Sequence, residues 1–177
     1  VECLTTDVAN NAYFVNSLLD DLPSDSAAWT LRKSVEDANT RAVTSATIGF
    51  QDSLFGIQRD SQGQVTNNSQ TPLVAAGTPE NPGDATNPTT EKKIVLDSTL
   101  EIKTNITITA PTDADGRILL TIERGTGIAS GDPLIGVNDK LNPTPSDERG
   151  MESNKATTEV KIENAIIDSR SNSATTS

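Results

Sequence analysis

Trp29-Thr30-Leu31-Arg32-Lys33-Ser34-Val35-Glu36-Asp37-Ala38-Asn39 is the stretch whose reading decides the fold. Within Ser26–Asn39 the apolar residues Ala28, Leu31, Val35 and Ala38 recur at steps of three, four and three. That spacing lays them on one face of a helix. Arg32, Lys33, Glu36 and Asp37 point elsewhere. Trp29 is the only tryptophan and lies beside the stripe, so it reads as core rather than as a ligand platform. Ala28, Trp29, Leu31, Val35 and Ala38 are therefore expected to form a structural cap, an amphipathic helix laid over the end of whatever the rest of the chain builds.

Before this stretch, Val1–Thr6 predicts a short strand. Asp7–Leu22 carries Val8, Ala12, Val15, Leu18, Leu19 and Leu22 at helical spacing, with Asp7 as N-cap and Pro23 as terminator. After it the period changes. Thr47–Phe50 and Leu54–Ile57 predict short strands. Lys93–Asp97, Leu100–Lys103, Asn105–Thr109, Ile118–Glu123, Leu134–Val137, Glu159–Glu163 and Ala165–Ile167 predict more, alternating Ile, Leu and Val with polar or smaller residues as one-face-buried strands do. Two polar stretches rich in Pro, Asn and Thr, 59–92 and 138–157, predict long loop insertions. The organisation expected is an N-terminal strand and capping helices over 1–40, then strands with insertions over 41–177.

Composition narrows the function classes. The chain has 177 residues, enough for one domain with a core. Hydrophobic residues are 33% and aromatics 3%, which suits a narrow stack of aliphatic strands more than a broad globular core. The net charge is −11, a surface that repels nucleic acid and anionic membranes and favours cations such as calcium. Histidine is absent, which removes the commonest general base and every Ser-His or Cys-His nucleophile. Cys3 is the single cysteine and reads as a small buried residue. No apolar run reaches the length of about 18 residues that predicts a membrane-spanning helix. Abundant Thr, Ser, Asn and Asp with few Lys resembles extracellular bacterial surface protein.

The opening stretch resembles a motif of bacterial right-handed parallel β-helix surface proteins, C/G-S-L-R-x-A-I-x-x-A-N. Trp29 stands at the Cys/Gly position and Ser34 at the usual alanine. Thr47-Ile48-Gly49-Phe50 with Leu54-Phe55-Gly56 is similar to that family's T-I-x-F-x-x-x-L-F-G. Leu100-Glu101-Ile102 with Ile106-Thr107-Ile108-Thr109-Ala110-Pro111, and Val160-Lys161-Ile162-Glu163-Asn164-Ala165-Ile166-Ile167, are similar to its rungs. The resemblance implies an all-β fold, a right-handed parallel β-helix (solenoid) with an N-terminal capping α-helix and long polar loop insertions. It implies adhesins, autotransporter-like passengers or polysaccharide-degrading enzymes as relatives.

Candidate chemistry is sparse. Asp113-Ala114-Asp115-Gly116 is the candidate calcium position, with Asp113 and Asp115 as ligands, although the remaining ligand positions of an EF-hand are missing. Asp20/Asp21, Asp132 and Asp147/Glu148 are the other acidic candidates, with nothing to set the separation that glycoside cleavage requires. Gly125-Thr126-Gly127 with Gly131 lacks the Lys-Ser/Thr ending of a phosphate loop and reads as a turn. No second amphipathic helix follows the strands, so a further copy, a continuing chain or another molecule is expected over the far end. The function expected is an extracellular structural or adhesive module that is not an enzyme and needs no cofactor. It would act by self-association into an oligomer or filament, or by attachment to a glycan or cell surface. The alternatives are the leading part of a secreted polysaccharide lyase or hydrolase whose active site lies elsewhere, and a calcium- or glycan-binding module.

Overall fold

A computed structural model describes residues 5–23, 26–41, 44–70, 88–137 and 158–170. Its nine strands are β1 (Ala12–Val15), β2 (Ser45–Phe50), β3 (Lys92–Leu96), β4 (Leu100–Ile102), β5 (Asn105–Thr109), β6 (Leu120–Arg124), β7 (Ile135–Val137), β8 (Val160–Glu163) and β9 (Ala165–Asp168). One α-helix, α1, runs Leu31–Thr40. Short 3-10 turns occupy Val8–Asn10 and Asp52–Phe55. Cys3 and the insertion 138–157 lie outside the described residues, as do 71–87 of the first insertion.

Among the described residues every strand pair is parallel. One sheet has the order β1-β2-β5-β8, a second β3-β6-β9 and a third β4-β7. From β2 to β6 each strand pairs with the one three strands later, so neighbours in sequence belong to different sheets. The register keeps aliphatic residues stacked: Ile48 on Ile108 and on to Ile162, Ile94 on Ile122 and on to Ile167, Ile102 on Val137. Parallel neighbours lie about 4.8 Å apart, so each stacked pair is in van der Waals contact and excludes water along the ladder. The inward positions of β2 to β6 are completely or almost completely buried, which explains how a chain this poor in aromatics builds a core.

The expected fold is corrected on one point. The sequence predicts an all-β solenoid with a helix as an accessory lid. The described chain is instead a mixed α/β arrangement, parallel sheets with one α-helix and no solenoid among the described residues. Leu31, Val35 and Ala38 of α1 are 0% exposed and belong to the same apolar cluster as the strands. The helix is thus a layer of the core. The three sheets hold four, three and two strands.

Two local expectations also change. Asp7–Leu22 is not helical. Asp7 does cap a turn, its carboxylate accepting from the Ala9 and Asn10 N–H groups, but Asn11 follows in the left-handed conformation and the chain then extends into β1. Ala12-Tyr13-Phe14-Val15 is aromatic and β-branched, and Tyr13 and Val15 point into the core at strand spacing. Leu54–Ile57 is not a strand: Leu54 and Phe55 end the 3-10 turn Asp52–Phe55, which Gly56 closes at φ 67°. Its Phe55 ring packs edge-on to Phe50, with ring centres 6.2 Å apart.

Candidate functional site

The two ends of the stacked sheets differ, and the difference is built from named side chains. At the end where β1, β3 and β4 form the edges, polar side chains occupy backbone groups of β1, of the β4 segment and of the turn between β3 and β4. The Asn39 amide donates to the Glu101 carbonyl, and its oxygen accepts from the Lys103 N–H, both at 2.8 Å. Arg32 donates to the carbonyls of Ser98 and Thr99 while paired with Asp20. Asp20 also accepts from the Asp97 N–H. Thr6 bonds both the N–H and the carbonyl of Phe14 in β1. An edge with its donors and acceptors so occupied has little left to pair with another strand.

Helix α1 is placed for this work by local chemistry. Thr30 caps its N-terminus by accepting from the Lys33 N–H. Ser34, at the position where alanine is usual, hides its hydroxyl by donating to the Thr30 carbonyl. Of the five cap residues predicted, Leu31, Val35 and Ala38 are the buried face. Ala28 and Trp29 precede the helix and are half-buried. The Trp29 ring lies 5.6 Å from that of Tyr13 and beneath the Lys33 ammonium, which is a packing role. Asn39 and Arg32 carry the edge-blocking bonds. The sequence signal for them was their place in the quoted motif, which periodicity alone passes over because both are polar.

At the other end the core-facing row changes character. Residues that stack on completely buried partners are themselves open. Val137 is 51% exposed although Ile102 beside it is 0%, and Ile167 is 42% exposed although Ile122 beside it is 0%. Val160, Ile162, Ala165 and Ile135 are only partly buried. Ile166, on the outward face, is 50% exposed. The β5–β8 bonds run from the Ile106 N–H to the Glu159 carbonyl and from the Ala110 N–H to the Glu163 carbonyl. Odd-numbered backbone groups of β8 therefore face β5, and those of Val160 and Ile162 face outward along the edge.

No family model, curated protein or solved structure matches this chain significantly. The site must be read from its own residues. No helix among the described residues is long and apolar enough to cross a membrane.

Of the acidic candidates, Asp20, Asp21, Asp113 and Asp115 are engaged in structural bonds. One Asp113 oxygen accepts from the N–H groups of Asp115 and Arg117, which fixes a turn with Gly116 at φ 78°. Asp115 accepts from the Asn68 amide. The two carboxylates sit in one turn, and no cluster of three or more His, Cys, Asp or Glu side chains that could hold a metal forms among the described residues. Asp20 is bound as above, Asp21 turns back onto the Leu22 N–H, and Asp147 and Glu148 lie outside the described residues. The glycine run is a turn, as predicted. Gly125 and Gly127 lie so close to the Leu96 and Asp97 backbone that a Cβ at either would collide. An unforeseen residue closes this corner: Arg124, on an inward position of β6, donates to the carbonyls of Ser169, Ala129 and Asp132. It ties β6 to the start of the open end.

Tyr13 supplies a pH probe of the closed end. Its hydroxyl donates to Asp37 at 2.8 Å. Burial first, and the Asp37 carboxylate second, push the phenol up to about 12 from its ordinary 10.0. A phenol that ionises more readily unfolded than folded stabilises the fold below pH 10.0, and that contribution is lost as pH rises toward 12. Melting temperature is therefore expected to fall between these two values, and Tyr13→Phe is expected to flatten that fall. Parallel pH profiles for parent and variant would count against the assignment.

Proposed function

We propose that this chain is a structural module of an extracellular, bacterial surface or matrix protein, working by association through its open end and catalysing no reaction itself. The observation that carries the reading is the contrast between the ends: edge groups occupied by Asn39, Arg32, Asp20 and Thr6 at one, and core-facing Val137 and Ile167 left open at the other. Exposed aliphatic residues beside strand edges that no described residue pairs are costly in isolation and favour pairing with another surface. The acidic, His-free composition and the resemblance of its motifs to bacterial surface proteins support the extracellular placement. The structural engagement of Asp20, Asp113 and Asp115 supports a role without acid–base chemistry.

The test compares the parent with Val137→Lys and Ile167→Lys in sedimentation and in attachment to bacterial cells. The parent is expected to associate or attach, and both variants to lose that behaviour while melting within a few degrees of the parent. A parent that stays monomeric and unattached, or variants that behave like it, would overturn the reading.

A further inference from the structure

Resting on that reading, we propose that the partner of the open end is a second copy of the same end. The edges of the two β8 strands would run antiparallel about a two-fold axis at Ile162, giving a closed dimer rather than a growing filament.

Three observations lead there. A filament needs two complementary ends, the second free to receive the first. The β1 and β4 edges are engaged by the chain's own side chains, so a β8 strand arriving head-to-tail has no acceptor on β1. A two-fold contact uses one end only. Next, the outward-facing backbone of Val160 and Ile162 gives β8 the pairing groups that an antiparallel neighbour requires, with Ile162 opposite Ile162 exchanging N–H and carbonyl bonds.

The outward face then fixes the register. Lys161 and Glu163 flank Ile162 and already attract one another at 2.8 Å within the strand. With the axis at Ile162, Lys161 of each copy lies opposite Glu163 of the other, two opposite-charge pairs by symmetry. Moving the axis one residue back sets Lys161 against Lys161. Moving it one residue forward sets Glu163 against Glu163. Like charges directly opposite are unfavourable, so the strand is self-complementary in one register among these three. The inward neighbours agree: Val137 and Ile167, open at this end, gain an apolar surface to meet. The net charge of −11 opposes association at long range, and salt of about 0.15 M screens it to distances under a nanometre.

The experiment is sedimentation equilibrium on the full chain and on Lys161→Glu and Glu163→Lys, each alone and then mixed in equal amounts. Each variant alone puts like charges opposite one another, and its dimer dissociation constant is expected to rise about tenfold. In the mixture, the carboxylates of one variant meet the ammonium groups of the other, and dimer is expected to return to about the parent level. The within-strand pair stays broken in both variants, so recovery on mixing reports the contact between copies and not repair of the fold. A dimer indifferent to both charges would overturn the proposal. Masses that climb without limit would also overturn it while leaving association through the open end intact. A monomer that still attaches to cells through Val137 and Ile167 would do the same, and a monomer that attaches to nothing would remove both readings.

Discussion

Leu31→Asp is expected to abolish cooperative thermal unfolding of this protein or to lower its stability by more than about 4 kcal/mol. Leu31 is 0% exposed, the first residue of α1, and a member of the single apolar cluster that joins the helix to all three sheets. Its leucine side chain contributes about 2 kcal/mol by leaving water. An aspartate there loses that term and adds a carboxylate that must be buried without a cation or else pull the helix off the sheets. Either route exposes the rest of the α1 face and the β4 edge beneath it. A domain holds about 5–15 kcal/mol in total, so the change consumes much of it. Leu31→Met, similar in volume, is expected to cost less than about 1.5 kcal/mol. Far-ultraviolet circular dichroism on heating separates the cases, and an aspartate variant that melts like the methionine one would show that the helix is not part of the core.

Asn39→Leu is expected to cost about 3 kcal/mol through polarity rather than volume. Asn39 is 8% exposed, and its amide answers one donor and one acceptor of the β4 segment. Leucine fills the space but leaves the Glu101 carbonyl and the Lys103 N–H unpaired, each a loss of about 1–3 kcal/mol where water cannot replace the partner. Asn39→Asp keeps the acceptor and sets a negative charge against the Glu101 carbonyl, so it should also destabilise. Urea titration gives the comparison directly: midpoints fall for both variants with the slope unchanged. The leucine variant carries a second consequence. A β4 edge without its polar cover becomes available to other strands, so its solutions should form larger species at concentrations where the parent does not. If both variants unfold at the parent's midpoint, the contrast between the two ends loses its main support.

Strands were the most legible feature. Alternation of Ile, Leu and Val with polar or smaller residues located the seven strands β3 to β9 within two residues, most plainly in β4, β5 and β8, where polar residues separate the inward aliphatic ones. The α1 stripe was legible for the same reason, at a different period. The segment 7–22 misled because a spacing of three and four also occurs by accident in a strand followed by irregular chain. Tyr13 and Phe14, left out of that count, were the residues that decided it. Leu54–Ile57 misled because four apolar-rich residues carry too little pattern to separate a strand from a single turn.

The sequence by itself determined the inward aliphatic residues of α1, β4, β5 and β8, since burial of aliphatic side chains at a fixed period is a local property of the chain. It also determined the absence of histidine chemistry and the strongly acidic surface. Only the tertiary structure decided that the helix joins the core, that the sheets hold unequal numbers of strands, and that one end is closed by Asn39, Arg32, Asp20 and Thr6 while the other is open. Those bonds link residues up to 77 positions apart. Whether a polar side chain meets water or a distant backbone group depends on which segments the fold brings together, and no local pattern records that.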